Sequence, residues 1–208
     1  MSSERGIVLG ICGKARSGKD TFAVMLSEAL FDITGKRLTL MSYANELKLR
    51  IQRDFDLSYD QLWGDLKETD DNRYPKKTGG FWTPREIMQF VGTDCMRSID
   101  NNFWVKELFR VIDDNDIKDV IITDVRFHNE ATPIKEAGGY IIKVNKNLVD
   151  EIHNMSHASE TSMDTFDVDF FVDNSFNLTA LKASAKQVAE LILKIKFSEV
   201  KNGKSKGL

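Results

Sequence analysis

The chain has 208 residues, 41% of them hydrophobic and 29% charged. That balance suits one domain with a sizeable core and excludes a mainly disordered or collagen-like chain. Lys and Arg number 29 against 32 Asp and Glu, for a net charge of −3, so no global positive field exists to hold a nucleic-acid polymer, and any nucleotide partner is expected to be small.

Cys12 and Cys95 stand far apart with no CxxC spacing and no companion set of histidines, which argues against a disulfide framework and a structural zinc site. The apolar run before Gly13 is too short for a signal peptide, and no segment reaches the length of a membrane span. A cytoplasmic protein with no membrane partner is expected.

Residues 6–12 form a continuous apolar and glycine run of the kind that makes a strand buried on both faces. After a glycine-rich loop, Phe22, Met25, Leu26, Ala29 and Leu30 recur at helical spacing, and Gly35 closes that helix. Further strands are expected over 38–42, 119–123, 140–144 and 169–172, which alternates strands with helices and implies a five-stranded parallel sheet. Between the second and third strands, residues 44–112 are too many for one crossover and read as a helical substrate-binding insertion. It divides into a helix over 44–55, a mobile polar stretch over 64–80, a helix opened by Thr83-Pro84 with Glu86 completing a capping box, and a helix over 102–112. A last helix puts Leu181, Ala185, Val188, Leu191, Ile192 and Ile195 on one face, and 198–208 reads as a flexible tail.

The strongest chemical motif is GKARSGKDT, residues 13–21, a GxxxxGK phosphate loop set between strand and helix. Gly13, Lys14, Arg16, Ser17, Gly18, Lys19, Asp20 and Thr21 are its candidate ATP-binding residues. Glycines let the backbone curl so that amide N–H groups face inward, the helix start adds positive potential, and Lys19 reaches the terminal phosphates. Asp20 stands where a metal-binding hydroxyl is usual. Its carboxylate would either touch Mg²⁺ or serve only as an acid favoured at a helix start.

Residues 120–126 deliver Asp124 and Arg126 to the carboxyl end of an apolar strand, the edge where open α/β sheets bind ligands. Asp124 is a candidate metal carboxylate and Arg126 a candidate phosphate clamp, against the alternative of a simple surface pair.

With PREIMQFVGTD (84–94), FWVK (103–106), DVRFHNEA (124–131) and HASE (157–160) following the phosphate loop in order, the chain resembles the deoxynucleoside monophosphate kinases of tailed bacteriophages. That resemblance implies a three-layer α/β P-loop kinase fold in a single domain, with a helical monophosphate-binding insertion and a short lid over 145–163. It implies ATP as phosphoryl donor with Mg²⁺, a deoxynucleoside monophosphate as acceptor, and the host cytoplasm as location. Carried over by position, Lys48, Arg85, Gly92, Thr93, Arg97, Trp104, Arg126 and Glu130 would contact the monophosphate, with Lys19, Arg126 and Asp124 catalytic. Trp104 would offer the base a face, or else serve as a core residue beside Leu108. Arg85 and Arg97 would diverge by about 120° on one uninterrupted helix, so Gly92 is the expected break. The 145–163 segment contains Lys146, His153 and His157 but no arginine, leaving Arg126, Arg16 or Arg73 to compensate. With no third ligand beside the two histidines, zinc is not expected.

Two other functions remain open at this point: a kinase of another small phosphorylated metabolite, of dephospho-coenzyme A or phosphomevalonate type, and an NTP-gated binding module. A homodimer is also left open.

Overall fold

The computed structural model describes residues 6–146 and 167–201. In chain order its elements are β1 (Val8–Cys12), α1 (Lys19–Thr34), β2 (Thr39–Met41), α2 (Tyr43–Phe55), α3 (Tyr59–Leu62), a 3-10 turn (Asp65–Glu68), β3 (Asp71–Pro75), β4 (Phe81–Trp82), α4 (Pro84–Gln89), a π-helical turn (Phe90–Cys95), α5 (Met96–Ile99), α6 (Phe103–Asp114), β5 (Val120–Val125), α7 (His128–Glu136), β6 (Tyr140–Asn145), β7 (Phe170–Asp173) and α8 (Leu178–Lys201). They divide between two compact units, one drawn from Met1–Ser42 and Val111–Leu208, the other Tyr43–Arg110.

In the first unit, strands in the order β2-β5-β1-β6-β7 form a five-stranded sheet in which every neighbouring pair is parallel. All five expected strands are present. β1 is buried along its whole length, as its unbroken apolar run requires of a central parallel strand. The chain runs first to β2 and β5 on one side of β1, then to β6 and β7 on the other. The carboxyl end of β1 is therefore a topological switch point, where such sheets open a ligand crevice.

Ile7, Leu9 and Ile11 pack with Phe22, Leu26 and Leu30 of α1 and with Leu181, Ala185 and Ile192 of α8. On the other face Ile134 of α7 closes on Gly10, where a Cβ would lie 2.7 Å from its Cδ1. Helices on both faces of the sheet make the three-layer α/β architecture. Gly35 ends α1 at φ 70°, its N–H bonded to the Phe31 carbonyl at 2.8 Å, the left-handed cap that glycine adopts without strain. Leu191 and Ile195, expected on the buried face of α8, are exposed, and Ala189 and Leu193 are buried instead. The 3.6-residue period rotates the stripe along a helix this long. α8 also continues to Lys201, so 198–201 is helix rather than tail. The expected lid lies, beyond Lys146, outside the described residues up to 166, with His153 and His157.

The second unit has its own small core of Ile51, Leu57, Leu62 and Ile87. The capping boxes of Ser58 with Gln61 and Thr83 with Glu86 both form, and Pro84 opens α4. The stretch 64–80, expected to be mobile, instead holds the 3-10 turn and β3, which pairs antiparallel with β4. Its anchor is Asp71, 6% exposed, whose carboxylate accepts from Arg73 Nε and Nη2 at 2.9 and 2.7 Å and from Gln61 Nε2 at 2.8 Å. The Arg73 hydrogen bonds, then those from Gln61 and the Arg73 backbone, hold the Asp71 carboxyl far below its ordinary range against the opposing cost of burial. Arg73, a candidate stand-in for lid arginines, is thus engaged by Asp71.

Candidate active site

β1 ends at Cys12 and α1 begins at Lys19, so residues 13–18 must turn the chain at the switch point. The two glycines of this turn sit where a side chain would collide. A Cβ at Gly13 would lie 2.4 Å from the Val144 carbonyl oxygen, and one at Gly18 would lie 2.2 Å from Asn174 Nδ2. Gly18 also adopts φ 86°, and Arg16, at φ 62°, is left-handed without being glycine, a strained conformation of the kind functional loops retain. The first backbone bond to the new helix is Phe22 N–H to the Gly18 carbonyl at 2.9 Å. Lys19, Asp20 and Thr21 therefore present N–H groups that have no partner within the helix.

Ser17 is 3% exposed and its Oγ has no hydrogen-bond partner among the described residues. An orphaned buried hydroxyl costs stability, and its position inside a curl of amides fits a phosphate group as the missing acceptor. Lys14, Gly18 and Lys19 are half-buried, whereas Arg16, Asp20 and Thr21 are exposed.

Cys12 stands opposite Val125 in the β1–β5 register, so Gly13 and Arg126, the next residues, leave the sheet side by side. Asp124 and Arg126 are both half-buried at this edge. Glu130, expected to meet substrate, is 2% exposed, and its Oε2 accepts from the N–H of Arg126 at 2.7 Å and of Phe127 at 3.2 Å. It closes the start of α7 and fixes the backbone from which Arg126 projects. Among the described residues no group of three or more His, Cys, Asp or Glu is placed to hold a metal ion. A magnesium ion carried by phosphate oxygens and water needs only one or two protein carboxylates, and Asp20 and Asp124 are candidates for them.

Sequence reasoning missed Asn174. It follows β7 directly, and its Nδ2 donates to the Ser17 carbonyl at 2.8 Å. The available signal was its place at a strand carboxyl end beside a glycine-tight loop.

The remaining candidates lie in the second unit. The α4 helix is not broken at Gly92; it widens into the π-helical turn and continues as α5. A turn closed i→i+5 winds about 85° per residue instead of 100°, so six such residues remove most of the roughly 120° between Arg85 and Arg97. Gly92 serves close approach: a Cβ there would lie 2.7 Å from Leu47 Cδ2, and its carbonyl accepts from Trp104 Nε1 at 2.9 Å. Trp104 is 3% exposed, a packed core residue rather than an open face for a base. Leu47, Gly92 and Trp104 thus form one neighbourhood, with Lys48 next along α2. Lys48 Nζ lies 5.5 Å from the Trp63 ring centroid, Thr93 is exposed and Arg97 half-buried. Arg85 Nε pairs with the Glu68 carboxylate in an exposed ion pair, the weak kind that an arriving phosphate can exchange.

A curled, amide-lined loop at the switch point of a parallel sheet, with a lysine at the helix start and an arginine at the neighbouring strand end, defines a P-loop phosphotransferase of the small-molecule kinase type. The sequence profile of the deoxynucleotide monophosphate kinase family matches residues 66–185. A protein of Acanthamoeba polyphaga mimivirus that carries the same kinase name is 32% identical over 183 residues, 78% of this chain and 86% of that one. The chain belongs to the deoxynucleotide monophosphate kinase family. Two solved structures align at low similarity: dephospho-CoA kinase from Campylobacter jejuni, at 14% identity and TM-score 0.39 over 95% of this chain and 98% of that one, and Mycobacterium tuberculosis APS kinase with AMPPNP and APS, at 12% and 0.47 over 91% and 99%.

Proposed function

We propose that the chain transfers the γ-phosphoryl group of ATP to a deoxynucleoside monophosphate, giving the deoxynucleoside diphosphate and ADP. The observation that carries the donor half is the orphaned Ser17 hydroxyl inside a loop that excludes Cβ atoms at Gly13 and Gly18. Family membership supports the acceptor.

The acceptor oxygen already belongs to a phosphate that is largely dianionic at neutral pH, so no strong general base is required. An oxygen of the monophosphate forms the new bond to the γ-phosphorus while the bond to the β,γ-bridging oxygen breaks, and ADP leaves with that electron pair. Catalysis then reduces to alignment and to neutralising charge around a loose phosphoryl group. In this reading the N–H groups of residues 18–21 and the Ser17 hydroxyl seat the β- and γ-phosphates, and Lys19 and Arg16 offset their charge. Arg126, on a backbone fixed by Glu130, holds the transferring group. Lys48, Arg85 and Arg97 bind the acceptor phosphate, with Arg85 exchanging Glu68 for it. Mg²⁺ entering with ATP would face Asp20 and Asp124 and withdraw charge from the phosphate oxygens.

A coupled assay of ADP release with dAMP, dGMP, dCMP, dTMP and hydroxymethylated dCMP tests the proposal. Turnover with at least one acceptor well above the ATPase background is expected. Release that is the same with and without every acceptor contradicts it.

A further inference from the structure

We infer that Asn174 is a positioning residue for the donor phosphates, setting the Ser17–Gly18 peptide so that its N–H is presented to them. The inference rests on the reading of residues 13–21 as a phosphate loop.

Asn174 is held from both sides. β6 and β7 pair through Asn145 opposite Asp173, and the Asn174 N–H extends that ladder by one bond to the Asn145 carbonyl at 2.7 Å. Immediately afterwards the Asp173 carboxylate accepts the Ser175 N–H at 2.9 Å and turns the chain away. The Asn174 side chain therefore projects from the rigid end of a strand, as a group that orients a site should. Its Nδ2 reaches the Ser17 carbonyl at 2.8 Å, across 157 residues of sequence.

A trans peptide is planar, with its carbonyl and N–H pointing in opposite directions. Fixing the Ser17 oxygen toward Asn174 directs the Gly18 N–H away from Asn174, and a hydrogen bond at the oxygen strengthens that N–H as a donor. Residue 18 is glycine at φ 86°, and a Cβ there would lie 2.2 Å from the Asn174 amide nitrogen, so a side chain at this position would displace the contact. On the residue that supplies this carbonyl, the Ser17 side-chain hydroxyl is buried without a partner among the described residues. One residue thus ties β7 to the peptide that follows the Ser17 side chain. An aspartate would set a carboxylate oxygen against the Ser17 carbonyl, reversing the interaction at nearly constant shape.

Asn174 also lines a groove of about 610 Å³ with Lys146, Phe176 and Asn177, so the test uses inorganic tripolyphosphate, which has no nucleoside. Its binding and that of ATP are measured by titration calorimetry on the full chain as wild type, Asn174→Ala and Asn174→Asp. Steady-state constants and melting temperatures accompany these measurements. Both ligands are expected to weaken by the same factor, several-fold in Asn174→Ala and at least about tenfold in Asn174→Asp. The KM for the monophosphate and the melting temperature should stay near wild type. Loss of ATP affinity with unchanged tripolyphosphate affinity overturns the inference, because Asn174 would then act on the nucleoside. Equal damage to melting temperature and to both substrate KM values also overturns it, in favour of a general structural role. If wild type binds tripolyphosphate and neither variant is weakened, the inference alone fails. If wild type binds none, the phosphate-loop reading fails with it.

Discussion

The Trp104 indole donates to the carbonyl of Gly92 over 2.9 Å, tying the first turn of α6 to the π-helical turn. Because the ring is buried, its removal should act first on stability. Trp104→Phe leaves the Gly92 carbonyl without its donor and is expected to cost about 1–3 kcal/mol, while Trp104→Ala should cost about 3–5 kcal/mol. Urea denaturation measures both. Unchanged stability in Trp104→Phe, together with a raised monophosphate KM, would return Trp104 to a base-stacking role.

Ser17→Ala should move stability and activity in opposite directions. Removing a buried hydroxyl that has no partner relieves an unmet polar group, so the ligand-free protein should gain up to about 1 kcal/mol. The same change removes a phosphate donor, and kcat/KM for ATP should fall about tenfold or more. A variant that loses stability and keeps its ATP kinetics contradicts this assignment.

Lys19→Ala is expected to lower kcat by at least ~100-fold with the fold intact by circular dichroism. At the neighbouring strand end, Glu130→Ala unseats the Arg126 and Phe127 N–H groups and should reduce kcat about tenfold, whereas Glu130→Gln keeps an acceptor and should recover most of it. Arg126→Lys keeps the charge, loses the planar fork, and should fall further than Glu130→Gln.

The second unit carries two opposed pH dependences. The folded Asp71 carboxyl is depressed, chiefly by Arg73, so its stabilisation is fully present above the unfolded value near about 3.9 and is lost as pH falls below it. Glu46 is shifted upward, mainly by burial and then by Glu107, with Arg110 opposing. Its contribution favours the fold in acid and is lost as pH rises through its ordinary and then its raised value. Melting curves from pH 3 to 8 should show Asp71→Asn less stable than wild type at pH 7 and the difference shrinking in acid. Glu46→Gln should melt higher than wild type at pH 7 and converge with it near pH 4.

The sheet was legible because a central parallel strand is buried on both faces and must be apolar throughout, as residues 8–12 and 120–122 are. The phosphate loop was legible for the same reason: glycine, lysine and a strand-to-helix junction are local requirements. The β3–β4 hairpin was not, because its anchor is a charge network around Asp71 rather than an alternating apolar face, and polar residues 64–80 read equally well as loop. Trp104 on an amphipathic helix was compatible with either core or substrate contact, and only packing against Gly92 decides. For Glu130 the position gave a substrate contact, and the fold adds that its Oε2 accepts from the N–H groups of Arg126 and Phe127. Asn174 lies beyond any local pattern, because its partner is 157 residues away.

Transfer between two small phosphorylated molecules is followed most directly by a label on the phosphorus. With ATP labelled at the γ-phosphate and a deoxynucleoside monophosphate, chromatography of the products should find the label in the β-phosphate of the deoxynucleoside diphosphate, in amounts matching the ADP formed. Label released only as inorganic phosphate, at a rate indifferent to the monophosphate, would contradict the account.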